Sequence, residues 1–172
     1  MDKLGVAVIG AGYWGPNLVR NFRSSPDWDL VAVCDLDLQR ATRVVGDRST
    51  VAIETDVARV LERPDVDAVA IATPARTHAA LAIAALEAGK HVVVEKPLAD
   101  NLTDARRMVD AATAHGRWLM LDHTFCYTPA VRHLRQSATP CGIDSIITTT
   151  QPVGGHHRRP ATTFRTSRRG LP

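Results

Sequence analysis

Cysteine is scarce in this chain: Cys34, Cys126 and Cys141 are an odd number with no CxxC spacing among them. Neither a disulfide framework nor a zinc site is indicated, so no metal is expected and the thiols read as buried or incidental. Long apolar runs are also missing, none approaching the roughly 20 residues that a membrane span requires. The start, Met1-Asp2-Lys3 before a glycine-broken segment, lacks a basic n-region and a cleavage site. The expectation is a cytoplasmic protein without a membrane partner. No internal repeat is evident, and no linker before about residue 136. Acids are absent from residues 156 to 172, which hold five arginines (Arg158, Arg159, Arg165, Arg168 and Arg169), leaving 16 basic and 18 acidic groups in the first 155 residues. The net charge of +3 therefore resides in the tail, and the body is slightly acidic.

What is present is the composition of a globular domain: 172 residues, 45% hydrophobic and 23% charged. Leu4 to Ile9 is a short apolar run ended by glycines, as expected for a strand buried on both faces. Pro16 suits a first helical turn, and Leu18, Val19 and Phe22 follow at helical spacing up to Arg23. Leu30 to Cys34 reads as a second strand and Leu38 to Val45 as a helix closed by Gly46. A short segment at Val51 to Ile53 and a helical turn at Val57 to Leu61 lead to the strand Ala68 to Ala72. Ala75 to Ala88 predicts a helix with Gly89 at its C′ position, and His91 to Val94 the next strand. Asn101, with Asp104 three residues on, predicts the cap of a helix that Gly116 ends, before a strand at Trp118 to Leu121. Strands alternating with helices predict the α/β class, a doubly wound parallel sheet of the Rossmann type.

Three clusters carry chemistry. Gly10-Ala11-Gly12-Tyr13-Trp14-Gly15 is a GxGxxG between a buried strand and the opening of a helix. The first glycine permits the tight turn, the second admits a pyrophosphate to the backbone, the third allows helix and strand to pack, and the helix N-terminus supplies free N–H groups. A plain glycine-rich turn is the competing reading. Asp35 ends the second strand, 25 residues after Gly10, where a carboxylate can accept both ribose hydroxyls and repel a 2′-phosphate. That favours NAD over NADP; a solvated loop acid is the alternative. Thr73-Pro74 follows the Ala68 strand on the edge where an open parallel sheet binds ligands, and His78, read alone, is a helix-surface histidine. Glu95-Lys96-Pro97 ends the next strand on the same edge, with Pro97 biasing Lys96 toward an extended backbone. Glu95 and Lys96 point to opposite faces and can serve different partners. Lys96, one of three lysines in the body with Lys3 and Lys90, can donate to a substrate oxygen or pass a proton.

The sequence resembles the glucose-fructose oxidoreductase, inositol dehydrogenase and rhizopine-catabolism (Gfo/Idh/MocA) oxidoreductases. The resemblance rests on GAGYWGPNLVRNF at 10 to 22, CDLD at 34 to 37, ATPARTHAALAIAALEAGKHVVVEKPLA at 72 to 99 and HTFCYTPAV at 123 to 131, covering roughly residues 4 to 136. It implies hydride transfer between the nicotinamide of NAD(P) and a secondary alcohol of a sugar, nucleotide sugar or cyclitol. It further implies that Gly10, Gly12 and Gly15 border the pyrophosphate, that Tyr13 and Trp14 are contact residues of the loop, and that Asp35 holds the adenosine ribose. Thr73, Pro74, His78 and the Glu95-Lys96-Pro97 loop would line the dinucleotide, with Glu95 toward the nicotinamide and Lys96, the catalytic residue, on the reacting oxygen. The GYWGPN form of the loop is similar to that of members acting on nucleotide-linked or amino sugars.

The departures are equally informative. Relatives in this family carry a second α/β domain that forms the substrate pocket, supplies a catalytic histidine in a segment like WDLxxHD and makes the homo-oligomer contacts; no such segment exists here. The expected organisation is a dinucleotide-binding domain over residues 1–122, the start of the substrate domain over 123–150 and a basic, poorly ordered tail over 151–172. A truncated gene product, with a tail translated out of frame, is the expectation for this pattern, and a non-catalytic dinucleotide-binding fragment is the alternative to a working dehydrogenase. Loss of the covering sheet would leave apolar surface exposed. Binding of nucleic acid by the arginine tail is the more distant reading, so no nucleic-acid partner is expected.

Overall fold

The computed structural model describes residues 3–46 and 49–137. The expectations for the arginine tail, for Cys141 and for residues 138–150 lie outside the described residues. In chain order the elements are β1 (Leu4–Ile9), α1 (Gly15–Ser24), β2 (Trp28–Cys34), α2 (Leu38–Val45), β3 (Ala52–Glu54), α3 (Val57–Leu61), β4 (Ala68–Ile71), α4 (His78–Glu87), β5 (His91–Glu95), α5 (Leu102–His115), β6 (Leu119–Asp122) and α6 (Pro129–Ser137). The six strands form one parallel sheet in the order β3-β2-β1-β4-β5-β6. The chain starts at the centre, builds outward to β3, then crosses back over β1 to build the other half. That reversal is the doubly wound Rossmann order, and it opens a crevice at the carboxyl ends of β1 and β4.

The continuous apolar runs are explained by the two faces of the sheet. Val6 and Val8 pack with Leu30, Val33, Leu18, Val19, Ala41 and Val45 beneath α1 and α2. Ala7 and Ile9, pointing the other way, join Val69, Ile71, Val92, Val94, Leu86 and Met108 beneath α3, α4 and α5. With both faces covered, successive residues of a strand are all core, and the period-2 alternation of a half-exposed sheet disappears.

Local chemistry sets the ends of the elements. Asn101 caps α5, its side chain accepting from the Asp104 N–H at 2.9 Å, and Gly116 closes it at φ 61°, in the left-handed region. Two expectations need correction. The second strand begins at Trp28 rather than Leu30, because Trp28 pairs in register with Leu4 and packs edge-on against Phe22 with ring centroids 5.8 Å apart. The helix expected from Ala75 to Ala88 is divided: Ala75–Thr77 is a single 3-10 turn and α4 begins at His78. Thr77 causes this, its hydroxyl sitting 2.7 Å from both Thr73 Oγ1 and the Pro74 carbonyl oxygen, which holds the entry turn tight.

Candidate functional site

The sequence places its candidates on three loops, and the fold brings those loops to one edge. The β1–α1 loop carries Gly10 to Gly15, the β4–α4 loop carries Thr73 and Pro74, and the β5 end carries Glu95, Lys96 and Pro97. All three leave the carboxyl end of the sheet.

Gly10 has φ 101°, and a Cβ there would lie 2.8 Å from the Ala72 carbonyl, so the turn into the crevice admits no side chain. At Gly15 a Cβ would stand 2.2 Å from the Gly10 carbonyl oxygen, the contact that seats α1 against β1. Gly12 differs: a Cβ would meet nothing within 4 Å, so the space above it is open. Helices α2, α3 and α5 are capped by Asp37, Asp56 and Asn101, whereas α1 has no side-chain cap and no acid in its first turn. Pro16 has no N–H and the Asn17 N–H bonds to the Trp14 carbonyl oxygen at 3.0 Å, so the donors left for an anion are the backbone N–H groups from Gly12 to Gly15, at the positive end of the helix. Tyr13 and Trp14 stack with ring centroids 6.4 Å apart at the rim, Tyr13 being 95% exposed.

Asp35 sits at the end of β2 as the sequence places it, but it is not a solvated loop acid. Its Oδ2 accepts from the Ala11 N–H at 2.7 Å and its Oδ1 from the Asp37 N–H at 2.9 Å. The carboxylate therefore fixes the glycine loop to the β2–α2 turn. Arg40 approaches Oδ1 at 3.6 Å and also pairs with Asp37, a neighbour the sequence reading did not include. Cys34, one residue earlier, is buried; burial, reinforced by the Asp35 charge, pushes its thiol up to about 11, so it stays protonated and unreactive.

His78 is the clearest correction. Expected on a helix surface, it is 1% exposed. Its Nδ1 lies 2.8 Å from the Pro97 carbonyl oxygen and its Nε2 2.8 Å from that of Thr73. Both neighbours are carbonyl acceptors, and the ring nitrogen that carries the proton donates to the one it faces, as the tautomer sets. Because α4 starts at His78, just past the 3-10 turn, the side chain faces back into the sheet edge and ties the β4 loop to the β5 loop. That inward direction was not legible from a histidine in isolation.

Glu95 is buried, while Lys96 and Pro97 are exposed. The Lys96 N–H donates to Glu95 Oε2 at 3.3 Å, and Glu95 Oε1 is buried with no protein partner. Across the sheet Glu95 pairs in register with Asp122 at the end of β6, an acid absent from the sequence reading. A signal was available: an acid ending the next parallel strand belongs to the same edge. Burial, then the charge of Asp122 and a side-chain hydrogen bond with it, push the Glu95 carboxyl up to about 7, against the smaller opposing pull of the Lys96 N–H and charge.

The sign of the consequence for stability is definite. The folded chain keeps the Glu95 proton up to about pH 7, whereas the ordinary value is 4.5, so between these limits the folded state binds more protons and stability falls as pH rises. His91 opposes this within part of the window: burial, then the Arg117 charge, holds its imidazole below 6.5, adding stability as pH rises. The Glu95 contribution is isolated by comparing wild type with Glu95→Gln in urea denaturation at a series of pH values. Wild type is expected to lose on the order of 2–3 kcal/mol relative to the variant across the window; parallel stability curves would contradict the assignment.

Comparison with known proteins bears directly on this edge. The profile of the Gfo/Idh/MocA oxidoreductase family, NAD-binding Rossmann fold, matches residues 4–123. The chain belongs to that family. Inositol 2-dehydrogenase 4 of Saccharopolyspora erythraea is 43% identical over 119 residues, which are 69% of this chain and 35% of that protein. The 4-carboxy-2-hydroxymuconate-6-semialdehyde dehydrogenase of a Sphingobium species is 33% identical over 129 residues, 75% of this chain and 41% of its own length. Among solved structures, GenD2 from gentamicin A biosynthesis, in complex with NAD, superposes with a TM-score of 0.77 at 32% identity, covering 81% of this chain and 40% of that one. KijD10, a 3-ketoreductase from Actinomadura kijaniata, in complex with NADP and TDP-benzene, gives 0.74 at 30% identity, covering 80% and 42%. The chain thus spans well under half of these Gfo/Idh/MocA relatives. Among the described residues there is no helix long and apolar enough to cross a membrane and no group of three or more His, Cys, Asp or Glu residues placed to hold a metal.

Proposed function

We propose that this chain is the dinucleotide-binding part of an oxidoreductase that transfers hydride between a nicotinamide and a secondary alcohol of a sugar, nucleotide sugar or cyclitol. The observation carrying this reading is the uncapped start of α1 behind an open Gly12, with Asp35 at the neighbouring strand end. The pyrophosphate would lie on the N–H groups from Gly12 to Gly15, with Tyr13 and Trp14 at the rim and the adenosine ribose beside Asp35. Thr73, Pro74 and Pro97 would line the dinucleotide, their loops held together by His78. Bound at this edge, the nicotinamide would supply the hydride acceptor or donor. Lys96, exposed at the same edge, would contact the reacting oxygen and hold or move its proton.

NAD is the preferred dinucleotide in this reading, since Asp35 would repel a 2′-phosphate. Calorimetric titration of the chain with NAD and with NADP tests it, the expected result being tighter binding of NAD. Asp35→Asn keeps one acceptor oxygen for the backbone and removes the charge; it is expected to weaken NAD by about tenfold, the worth of one charge-assisted hydrogen bond, and to narrow the preference. Binding of neither dinucleotide would overturn the reading. A second reading is a binding module without turnover, the chain spanning 33% to 45% of the curated relatives compared. A spectrophotometric screen with inositol and sugar nucleotides separates the two: binding without reduction of NAD supports the module.

A further inference from the structure

We propose that His91 is an acid-labile clasp on the edge strand β6: its neutral ring holds the peptide at which that strand begins, and protonation of the ring lets it go. His91 opens β5, so the clasp lies at the amino ends of the strands, away from the candidate site, and does not depend on the function proposed above. β6 ends the sheet and pairs only with β5 among the described residues. The pairing starts at Trp118, one residue before β6. Its carbonyl oxygen accepts from the Val92 N–H at 2.8 Å, and its own N–H donates to His91 Nδ1 at 3.0 Å. A side chain, rather than a backbone carbonyl, therefore supplies this acceptor. Only an unprotonated ring nitrogen can accept, so the bond requires the Nε2–H tautomer; an imidazolium carries protons on both nitrogens and accepts at neither.

The charged groups around the ring come from both neighbouring strands. Arg117 precedes Trp118 on the β6 side. Asp67 precedes β4; its carbonyl oxygen accepts from the His91 N–H at 3.0 Å, and its carboxylate accepts from the Gly5 N–H at 2.7 Å. Lys90, the residue before His91, turns its Nζ to the carbonyl oxygens of Arg63 and Val66 at 2.8 Å each. Burial, then the Arg117 charge, holds the imidazole below its ordinary value, against the smaller pull of Asp67. At neutral pH the ring is thus the acceptor that Trp118 needs. A proton on Nδ1 turns that acceptor into a donor facing another donor, and it sets an imidazolium near the Arg117 guanidinium, whose Nε is already buried without a protein partner. Withdrawal of Trp118 from β5 relieves both penalties at once. Trp118 is 50% exposed, so packing opposes that motion only weakly. The Arg117 N–H bonds instead to the Ala112 carbonyl oxygen at 3.0 Å, which keeps the end of α5 in place and confines the opening to the strand start.

The test uses the whole chain without dinucleotide, so it is independent of whether NAD binds. Nitrogen-15 shifts of the His91 ring report its tautomer and its titration, and hydrogen exchange at the Trp118 amide, divided by the intrinsic rate at each pH, reports the closure of the strand start. Wild type is expected to hold the Nε2–H tautomer at neutral pH and to titrate below 6.5. As the ring gains its proton, protection of the Trp118 amide should fall about tenfold, the worth of one hydrogen bond, while the Arg117 amide keeps its protection. His91→Gln offers an acceptor that does not titrate, so protection at Trp118 should persist into mild acid. An Nδ1–H ring at neutral pH, Trp118 protection that does not follow the His91 titration, or an equal fall in His91→Gln overturns the clasp. If His91→Gln does not fold, the wild-type tautomer and the shared midpoint of ring and amide decide: both together support the clasp, and the absence of either overturns it.

Discussion

Replacing Gly15 by alanine is expected to destabilise the chain by about 2–3 kcal/mol, the cost of forcing an extra methyl into a packed site, and to lower affinity for NAD by roughly two orders of magnitude. The new Cβ would stand 2.2 Å from the Gly10 carbonyl oxygen, far inside van der Waals contact, and the obstructing atom is backbone rather than the end of a flexible side chain. Relief requires α1 to move away from β1. That motion separates the helix N-terminus from the open space above Gly12 and strains the Ala11 N–H bond to Asp35. Stability and binding should therefore fall together. Thermal denaturation and calorimetry read the two effects, and wild-type affinity in the variant would show that the loop is not the pyrophosphate site. Gly12→Ala is the useful contrast: its Cβ meets no protein atom. It should leave stability nearly unchanged and weaken only dinucleotide binding, because the methyl occupies the space a phosphate would need.

His78→Ala is the second large effect, expected at about 3–4 kcal/mol, since it combines a buried cavity with the loss of the ring's hydrogen bonding between two loop carbonyls. The ring is 1% exposed and reaches Thr73 and Pro97 at 2.8 Å each. His78→Phe restores most of the volume but no ring N–H, so the stability difference between the two variants isolates packing from hydrogen bonding. Both should release the Pro97 carbonyl, raising hydrogen exchange at the amides of Leu98 and Ala99, which follow it. A histidine serving only to fill space would be replaced by phenylalanine with little loss, and that result would refute the clamp. Binding of NAD should also weaken, because the loops bearing Thr73 and Lys96 would no longer be held together.

These residues show where sequence reading reached and where it stopped. GxGxxG, the acid ending β2 and the strand-helix alternation are local patterns: each depends on neighbours within a few residues or on a repeated spacing, so each was legible. The cap at Asn101 was legible for the same reason, a side chain bonding to a backbone group three residues away. The direction of His78 was not, because it follows from a 3-10 turn set by the Thr77 hydroxyl and from a carbonyl 19 residues away in sequence. Asp122 was missed because its significance exists only once β6 lies beside β5. Asp35 was placed correctly, while its bonds to Ala11 and Asp37 N–H, which make it part of the loop's framework, were not foreseen.

The sequence by itself determined the doubly wound class and the edge on which its candidate site residues gather, because apolar runs, glycines and caps act over short distances. The tertiary structure alone decided how those residues constrain one another: His78 as a buried tie between two loops, Asp35 as an anchor of the glycine turn, and Glu95 against Asp122. The scarcity of cysteine and of long apolar runs narrowed the class of protein, but it had no bearing on these arrangements. They arise when parallel strands bring distant residues into register, and only there does burial turn an ordinary glutamate into a group that holds its proton near neutral pH.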